Sequence, residues 1–318
     1  MACLIPRSVV NPRYKKIAPL NHYLLYGSRL DYKVPVDCGR CINCFRKYMG
    51  SWRFRLIHEF LSLTPEQRSR SYYVTLTIEP KFYTEKKPLL KLMVRRFLDR
   101  ARKKYGHSIR HFLVTERGED TNRYHFHGFF FDTNVISSDI WNLWHYGYVT
   151  VFNLGDINEN IYRDIAYTTT YITKGRKGSL PMVLAPEDRP LVLVSPGLGA
   201  NYAKTHKEFH HQNGILIPFA MEQNGTMRSL PRYLRQKVFD ESALKELSTD
   251  FFKNYDDDVI PDGPYYIGNV RYDDYTVYKE ACKPYVNLYN QIYGKQHSRT
   301  SCFSFCQGPE EGELEPRL

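Results

Sequence analysis

The chain has 318 residues, 42% of them hydrophobic and 25% charged, the balance of a globular protein with enough length for one large core or two ordinary ones. No apolar run approaches the ~20 residues of a membrane crossing, and the opening "MACLIPRSVVNPRYKK" lacks a secretory apolar region, so the sequence reads as intracellular with no membrane partner. The formal net charge of +11 is uneven: residues 1–110 carry 24 Lys+Arg against 7 Asp+Glu, an excess in the first third that points to a polyanionic partner.

Three of the seven cysteines stand together in "CGRCINC" as Cys38, Cys41 and Cys44, a spacing that in a reducing compartment suits metal ligation better than a disulfide framework. Beyond them Trp52, Leu56 and Phe60 recur at helical spacing, with Ser51 expected as N-cap and Pro65 as stop. The β-branched and aromatic run "SYYVTLTIEP" predicts a strand closed by Pro80. In "KPLLKLMVRRFLDRARKKYG" a second helix places Leu90, Val94, Phe97 and Ala101 on one side and basic residues on the other. "IRHFLVTERG", the polar turn "GEDTNR" and "RYHFHGFFF" then read as a hairpin.

A helix in "SSDIWNLWHYG", a strand in "YVTVFN" and a helix in "NENIYRDIAYTTTYITKG" ending at Gly175 complete an α+β order, a mainly antiparallel central sheet flanked by helices. Residues 179–245 are expected to hold two or three more short elements. From about residue 250, through "YDDDVIPDGPYY" to the acidic tail "PEEGELEPRL", the chain reads as irregular or weakly ordered. Tyr285, Tyr289 and Tyr293, four residues apart in "PYVNLYNQIYGK", are assigned to packing or stacking. The expected division is a cysteine-containing segment over 1–50, a core over 51–178, an extension packed on it over 179–245, and a C-terminal extension over 246–318.

The chemistry gathers in two places. Along a strand side chains alternate, so His125 and His127 share a face and Phe126 takes the other. Glu116 precedes the pair in the partner strand, where a hairpin folds it back beside them. Two imidazoles and one carboxylate leave coordination positions open, the layout of a catalytic rather than a structural metal site; the competing account is a polar sheet face with an ordinary strand-end acid. Second, Tyr167, Tyr171 and Lys174 fall at i, i+4 and i+7 of one helix face, the two phenols roughly 6 Å apart along the axis. A phenol with its ordinary pKa near 10 is a weak nucleophile. A cation such as Lys174 favours phenolate, and a metal on phosphate oxygens offsets charge in the transition state. Arg176 and Lys177, just beyond, are assigned to nucleic-acid binding, and the 26 tyrosines and 18 phenylalanines offer faces for base stacking.

With "VTLT", "HFHG" and "YTTTYITK" in that order, the chain resembles the HUH endonucleases, and more closely the replication initiators of microviruses, small circular single-stranded DNA phages of the gokushovirus kind. "CGRCINCFRKYMGSWRFRLIHE", "SPGLGANY" and "LPRYLRQKVF" extend the resemblance to about residue 240. It implies an RRM-like HUH fold with Mg²⁺ or Mn²⁺ on His125, His127 and Glu116. It maps a Tyr-x-x-x-Tyr-x-x-Lys motif onto Tyr167, Tyr171 and Lys174. One tyrosine would attack a phosphodiester at the origin, leaving a free 3′ hydroxyl and a protein-linked phosphate. Tyr171, which also fits the single-tyrosine form of the motif, is the first-choice nucleophile, and the second tyrosine would cut and rejoin the completed circle. Work in a bacterial host cytoplasm with a host helicase and DNA polymerase follows, because the chain has no G-x-x-x-x-G-K-[ST] phosphate loop of its own. Arg117 stands where an aromatic often follows the family's acid.

The resemblance also places Cys3 in an early C-x-x-P position, where it would complete a tetrahedral Zn²⁺ set with Cys38, Cys41 and Cys44; buried small side chains in a tight loop are the equal alternative. Three other functions compete: a relaxase or transposase using the same tyrosine attack, a non-catalytic zinc-containing nucleic-acid binder, and an oxygenase of the two-histidine, one-carboxylate type. The last leaves the tyrosine helix and the charge bias unexplained.

Overall fold

The structure, a computed structural model, describes residues 3–10, 33–118, 121–155, 161–173, 189–221, 227–253, 264–267 and 270–293. In chain order its elements are β1 (Arg7–Val10), β2 (Lys33–Val36), α1 (Ile42–Leu61), α2 (Pro65–Ser69), β3 (Tyr72–Leu76), α3 (Lys87–Tyr105), β4 (Arg110–Arg117), β5 (Tyr124–Phe131), α4 (Ser137–Leu143), β6 (Val149–Asn153), α5 (Ile161–Thr170), β7 (Val192–Val194), α6 (Asn201–Thr205), α7 (Lys207–His210), β8 (His211–Gln212), β9 (Ile215–Leu216), β10 (Phe219–Met221), β11 (Met227–Ser229), α8 (Arg232–Val238), α9 (Glu241–Lys253), β12 (Tyr265–Ile267), β13 (Val270–Tyr272) and α10 (Tyr275–Tyr293), with a short 3₁₀ turn at Pro80–Phe82. Among the described residues no helix is long and apolar enough to cross a membrane. The chain divides into two units, one of Met1–Lys47, Met182–Ala185 and Ser248–Leu318, the other of Tyr48–Pro181 and Pro186–Leu247.

The second unit is built on a five-stranded sheet in the order β6-β3-β5-β4-β7, antiparallel at every step. Helices cover both of its faces. On one, Val74, Leu76, Leu113, Phe126 and Phe130 pack against Leu90, Val94, Phe97 and Ala101, the four residues predicted for the inner side of α3. On the other, Phe112, Val114, Phe129 and Phe131 pack against Trp52, Leu56 and Phe60 of α1 and Ile161 and Ile165 of α5. A central strand covered twice has no solvent side, so β5 is buried without a break from Phe126 to Phe131. The predicted α+β class, with its mainly antiparallel sheet between helices, is the observed one.

Several boundaries differ from the sequence expectation. Helix α1 starts at Ile42, so Ser51 lies inside it and caps nothing. Gly50, which reads as a break, is helical, and a Cβ there would overlap the Arg228 guanidinium. Pro65 stops no helix: it opens α2 at its first turn, where Thr64 and Gln67 form a capping box. Helix α5 ends at Thr170, and Tyr171, Ile172 and Thr173 continue as turns bonded three residues back, at 3.3, 3.2 and 2.9 Å. The threonines explain this ending, since Thr168, Thr169 and Thr170 turn their hydroxyls onto the carbonyls of Asp164, Ile165 and Tyr167 and loosen the helical ladder. Gly175, the expected end, lies outside the described residues.

The region after residue 189 holds more than the two or three elements expected. β7 joins the main sheet through Phe112↔Val194, and α6, α8 and the β10–β11 pair enclose a small core of Phe54, Tyr202, Ala220, Leu230, Leu234, Val238 and Phe239. Such short elements carry too little periodicity to be read locally.

In the first unit β1 pairs with β2, and β12 with β13, both antiparallel. Its core joins Leu4, Ile5, Cys38, Cys41, Ile42 and Cys44 to Ile267, Tyr278, Cys282, Val286 and Tyr289. The C-terminal region expected to be irregular thus contains the 19-residue helix α10. Tyr289 is fully buried and Tyr285 packs beside it, the packing role expected of that tyrosine series. The acidic tail lies outside the described residues.

Candidate active site

The register of β4 and β5 sets Glu116 opposite His125, while His127 faces Val114 on one side and Thr75 of β3 on the other. Because side chains alternate, Glu116, His125 and His127 emerge on one sheet face, and one ligand atom from each lies within 4.8 Å of the others. Both rings turn Nε2 to the carboxylate: Glu116 Oε2 is 3.4 Å from His125 Nε2 and 3.1 Å from His127 Nε2. The imidazoles stand edge to face, centroids 4.8 Å apart. His127 is buried, and Glu116 and His125 are half-buried.

The far nitrogen of His127 is also engaged. Its Nδ1 lies 3.2 Å from Tyr73 Oη and 3.1 Å from Thr75 Oγ1. A neutral ring that donates Nδ1–H to one of these hydroxyls presents the Nε2 lone pair to the carboxylate side. Two imidazole nitrogens and a carboxylate oxygen on one face suit a divalent cation with open positions. Tyr73 and Thr75 were missed at the sequence level. The signal was the alternation of "YVTLT", which turns Tyr73, Thr75 and Thr77 away from Val74 and Leu76.

The two tyrosines arrive from above the sheet. Tyr171 lies over His127 with ring centroids 4.7 Å apart and planes 25° from parallel. Tyr167 meets Tyr171 edge-on at 5.1 Å. Their exposure differs sharply: Tyr171 is 2% exposed and Tyr167 54%. Burial pushes the Tyr171 phenol well above its ordinary range, and the Tyr167 hydrogen bond and the Glu116 charge push the same way. Burial also lifts Tyr73 to about 12. Lys174, Arg176 and Lys177 lie outside the described residues.

Arg117, the departure from the expected aromatic, points to the opposite face. It donates to Glu85 and to the Asn122 carbonyl, both at 3.2 Å, and lies over the Tyr124 ring. It braces the hairpin turn, where Gly118 N–H donates to Arg123 O and Asn122 adopts a positive φ of 52°.

In the first unit the four expected cysteines converge. One ligand atom from each of Cys3, Cys38, Cys41 and Cys44 lies within 4.8 Å of the others, and the Cys3–Cys41 and Cys38–Cys44 sulfurs are 3.8 Å apart. All four are reduced. A tetrahedron with Zn–S bonds of ~2.3 Å has edges of about 3.8 Å, so the sulfur set fits that ion. Backbone N–H groups of Ile5 and Cys38 point at Cys3 Sγ, and those of Arg40 and Cys41 at Cys38 Sγ, bonds that stabilise thiolate charge.

Residues 71–176, about a third of the chain, match the model of a family described as replication-associated protein ORF2. The matched stretch runs from the residue before β3 past α5, and so contains Tyr73, Thr75, Glu116, His125, His127, Tyr167 and Tyr171. No curated protein and no solved structure matched the chain.

Proposed function

We propose that this chain initiates rolling-circle replication by nicking and rejoining one strand of origin DNA through a phosphotyrosine bond. The similarity to replication-associated proteins supplies the process. The observation that carries the chemistry is the meeting of Glu116, His125 and His127 on one sheet face with Tyr171 stacked on His127 and Tyr167 beside it. A lone His-x-His pair does not come with two phenols within one ring's width.

In the proposed step a phenol oxygen bonds to phosphorus and the bond from phosphorus to the 3′ oxygen breaks. The proton lost by the phenol is balanced by one gained at the 3′ oxygen, which leaves a 3′ hydroxyl for a polymerase and a 5′ phosphate on tyrosine. Mg²⁺ or Mn²⁺ held by Glu116, His125 and His127 would supply positive charge beside the phosphate oxygens. Tyr73 and Thr75 hold His127 in the orientation that set requires. Tyr167, exposed, is the phenol a strand reaches with the chain as it stands, whereas Tyr171 is reached when the turn after Thr170 opens; this gives the two tyrosines separate moments of access. Lys174, Arg176 and Lys177 are carried forward as the cations of the same segment, and Cys3, Cys38, Cys41 and Cys44 as a structural Zn²⁺ site. The finer reading is a microvirus initiator working in a bacterial cytoplasm with host helicase and polymerase.

The test is covalent capture. A labelled single-stranded origin oligonucleotide incubated with Mn²⁺ should leave label on Tyr167 or Tyr171, and the label should vanish in His125→Ala and in the Tyr167→Phe/Tyr171→Phe double variant. Label on Tyr285, Tyr289 or Tyr293 would overturn the site. Salt-sensitive binding with no covalent product from any variant would instead make the chain a non-catalytic binder.

A further inference from the structure

We propose that edge strand β6 is a stacking platform for unpaired bases flanking the scissile phosphate; the identity of the ligand, single-stranded DNA, rests on the nicking reading above. β6 pairs with β3 through Tyr73↔Phe152 and Thr75↔Thr150. Phe152 and Thr150 therefore share the sheet face of Tyr73, Thr75 and His127. Tyr148, two residues before Thr150, accepts a backbone bond from Thr77 at 2.8 Å and follows the same alternation. The other face is ordinary, with Val149 and Val151 packed against the core. An outward strand face is normally polar, yet here Phe152 is 54% and Tyr148 69% exposed. Exposed aromatic surface grouped on one strand marks a binding surface.

The rings of this strand connect to the site. Phe152 and Tyr73 have centroids 6.3 Å apart and planes 28° from parallel, Tyr73 and His127 are 6.4 Å and 19° apart, and Tyr171 follows on His127. Near-parallel rings thus step from the sheet edge to the proposed nucleophile. A phosphate held at Glu116, His125 and His127 has nucleotides on either side of it. Toward β7 this sheet face is covered by α1 and α5 through Trp52, Leu56, Ile161 and Ile165; toward β6 it is open. Each ring-to-ring step is under two stacked-base rises of ~3.4 Å, so a base on Phe152 sits within a few nucleotides of the scissile bond.

Charge decides the occupant. The chain carries a formal +11, and Arg163, 76% exposed, precedes Tyr167 by one turn of α5 on the same helix face. Exposed aromatics beside a backbone cation suit single-stranded nucleic acid, whose bases stack without regard to sequence and whose phosphates attract arginine.

The test separates binding from cleavage. Affinity for a fluorescent single-stranded origin oligonucleotide is measured by anisotropy in a chelator, and adduct yield with Mn²⁺ is measured in parallel. Phe152→Ala should weaken binding about tenfold and Tyr148→Ala/Phe152→Ala further, while Phe152→Trp should keep it. A double variant that binds within about twofold of the parent overturns the platform. A parent that binds through Phe152 yet forms no adduct leaves the platform standing and removes the nicking reading; adduct formation indifferent to both rings does the reverse. Photocrosslinking of the unaltered protein to an iodouracil-substituted strand gives a check free of any folding defect. Crosslinks should map to the peptide containing Tyr148 and Phe152, and crosslinks confined to other peptides overturn the proposal.

Discussion

His127 is gripped at both nitrogens, by Glu116 at Nε2 and by the Tyr73 and Thr75 hydroxyls at Nδ1. Outer partners of this kind orient a ligating ring, and losing them costs ~10–100-fold in metal affinity. Tyr73→Phe/Thr75→Val should therefore weaken Mn²⁺ binding by about tenfold or more in titration calorimetry without unfolding the chain; an unchanged affinity would deny the hydroxyls this role. The buried phenols also set a pH limit. Tyr73 and Tyr202 are raised to about 12 and Tyr171 is raised as well, each mainly by burial. An unfolded phenol ionises near 10, so above that pH the unfolded chain binds fewer protons than the folded one and stability falls as pH rises. Denaturant midpoints measured from pH 9 to 11 should decline, and Tyr73→Phe should make the decline shallower. Of these residues the two histidines and Glu116 were legible, because a hairpin is local and brings them together through a short turn. Tyr73 and Thr75 were not, because nothing local aligns β3 with a strand some fifty residues later.

At the level of elements, β5 depends on a residue with no side chain. A Cβ on Gly128 would overlap the Phe112 carbonyl oxygen in the neighbouring strand, and strand backbone cannot yield as a flexible side chain does. Gly128→Ala should destabilise the protein by about 1–3 kcal/mol or more in urea unfolding; a neutral result would mean that β4 and β5 separate easily. Helix α1 supplies a second test. His58 lies between Phe54 and Tyr202 of α6, with centroids at 4.4 and 4.5 Å, and burial, aided by His206, lowers its pKa from 6.5 to about 4. The folded chain keeps this ring neutral while the unfolded chain takes up a proton below pH 6.5, so stability is present above that value and is lost as pH falls toward 4. His58→Phe should flatten the acid limb of the stability profile. Periodicity found the inner side of α3 residue by residue because an amphipathic helix states its face within a few turns. It misplaced the start of α1, where Gly50 and basic residues imitate a boundary, and the end of α5, where side-chain hydroxyls compete for the backbone.

Across the molecule, the chain contains two candidate metal sites of opposite design, each within its own unit. The four-sulfur set fits a closed structural site and the Glu116, His125, His127 set an open one. Native mass spectrometry should find one zinc per chain that is lost in Cys41→Ser, with the loss lowering the unfolding temperature; retention of zinc in that variant would assign the metal elsewhere. The α+β class, the histidine hairpin and the pairing of Tyr167 with Tyr171 are written in the order of residues, since each follows from periodicity or spacing within a few turns of chain. Three relations exist only once the chain has folded: the convergence of Cys3 on Cys38, Cys41 and Cys44, the burial of Tyr171 beside an exposed Tyr167, and the row of rings that runs from Phe152 to His127. They depend on which distant segments pack together, and that is settled by the burial of shared apolar surface rather than by any local pattern.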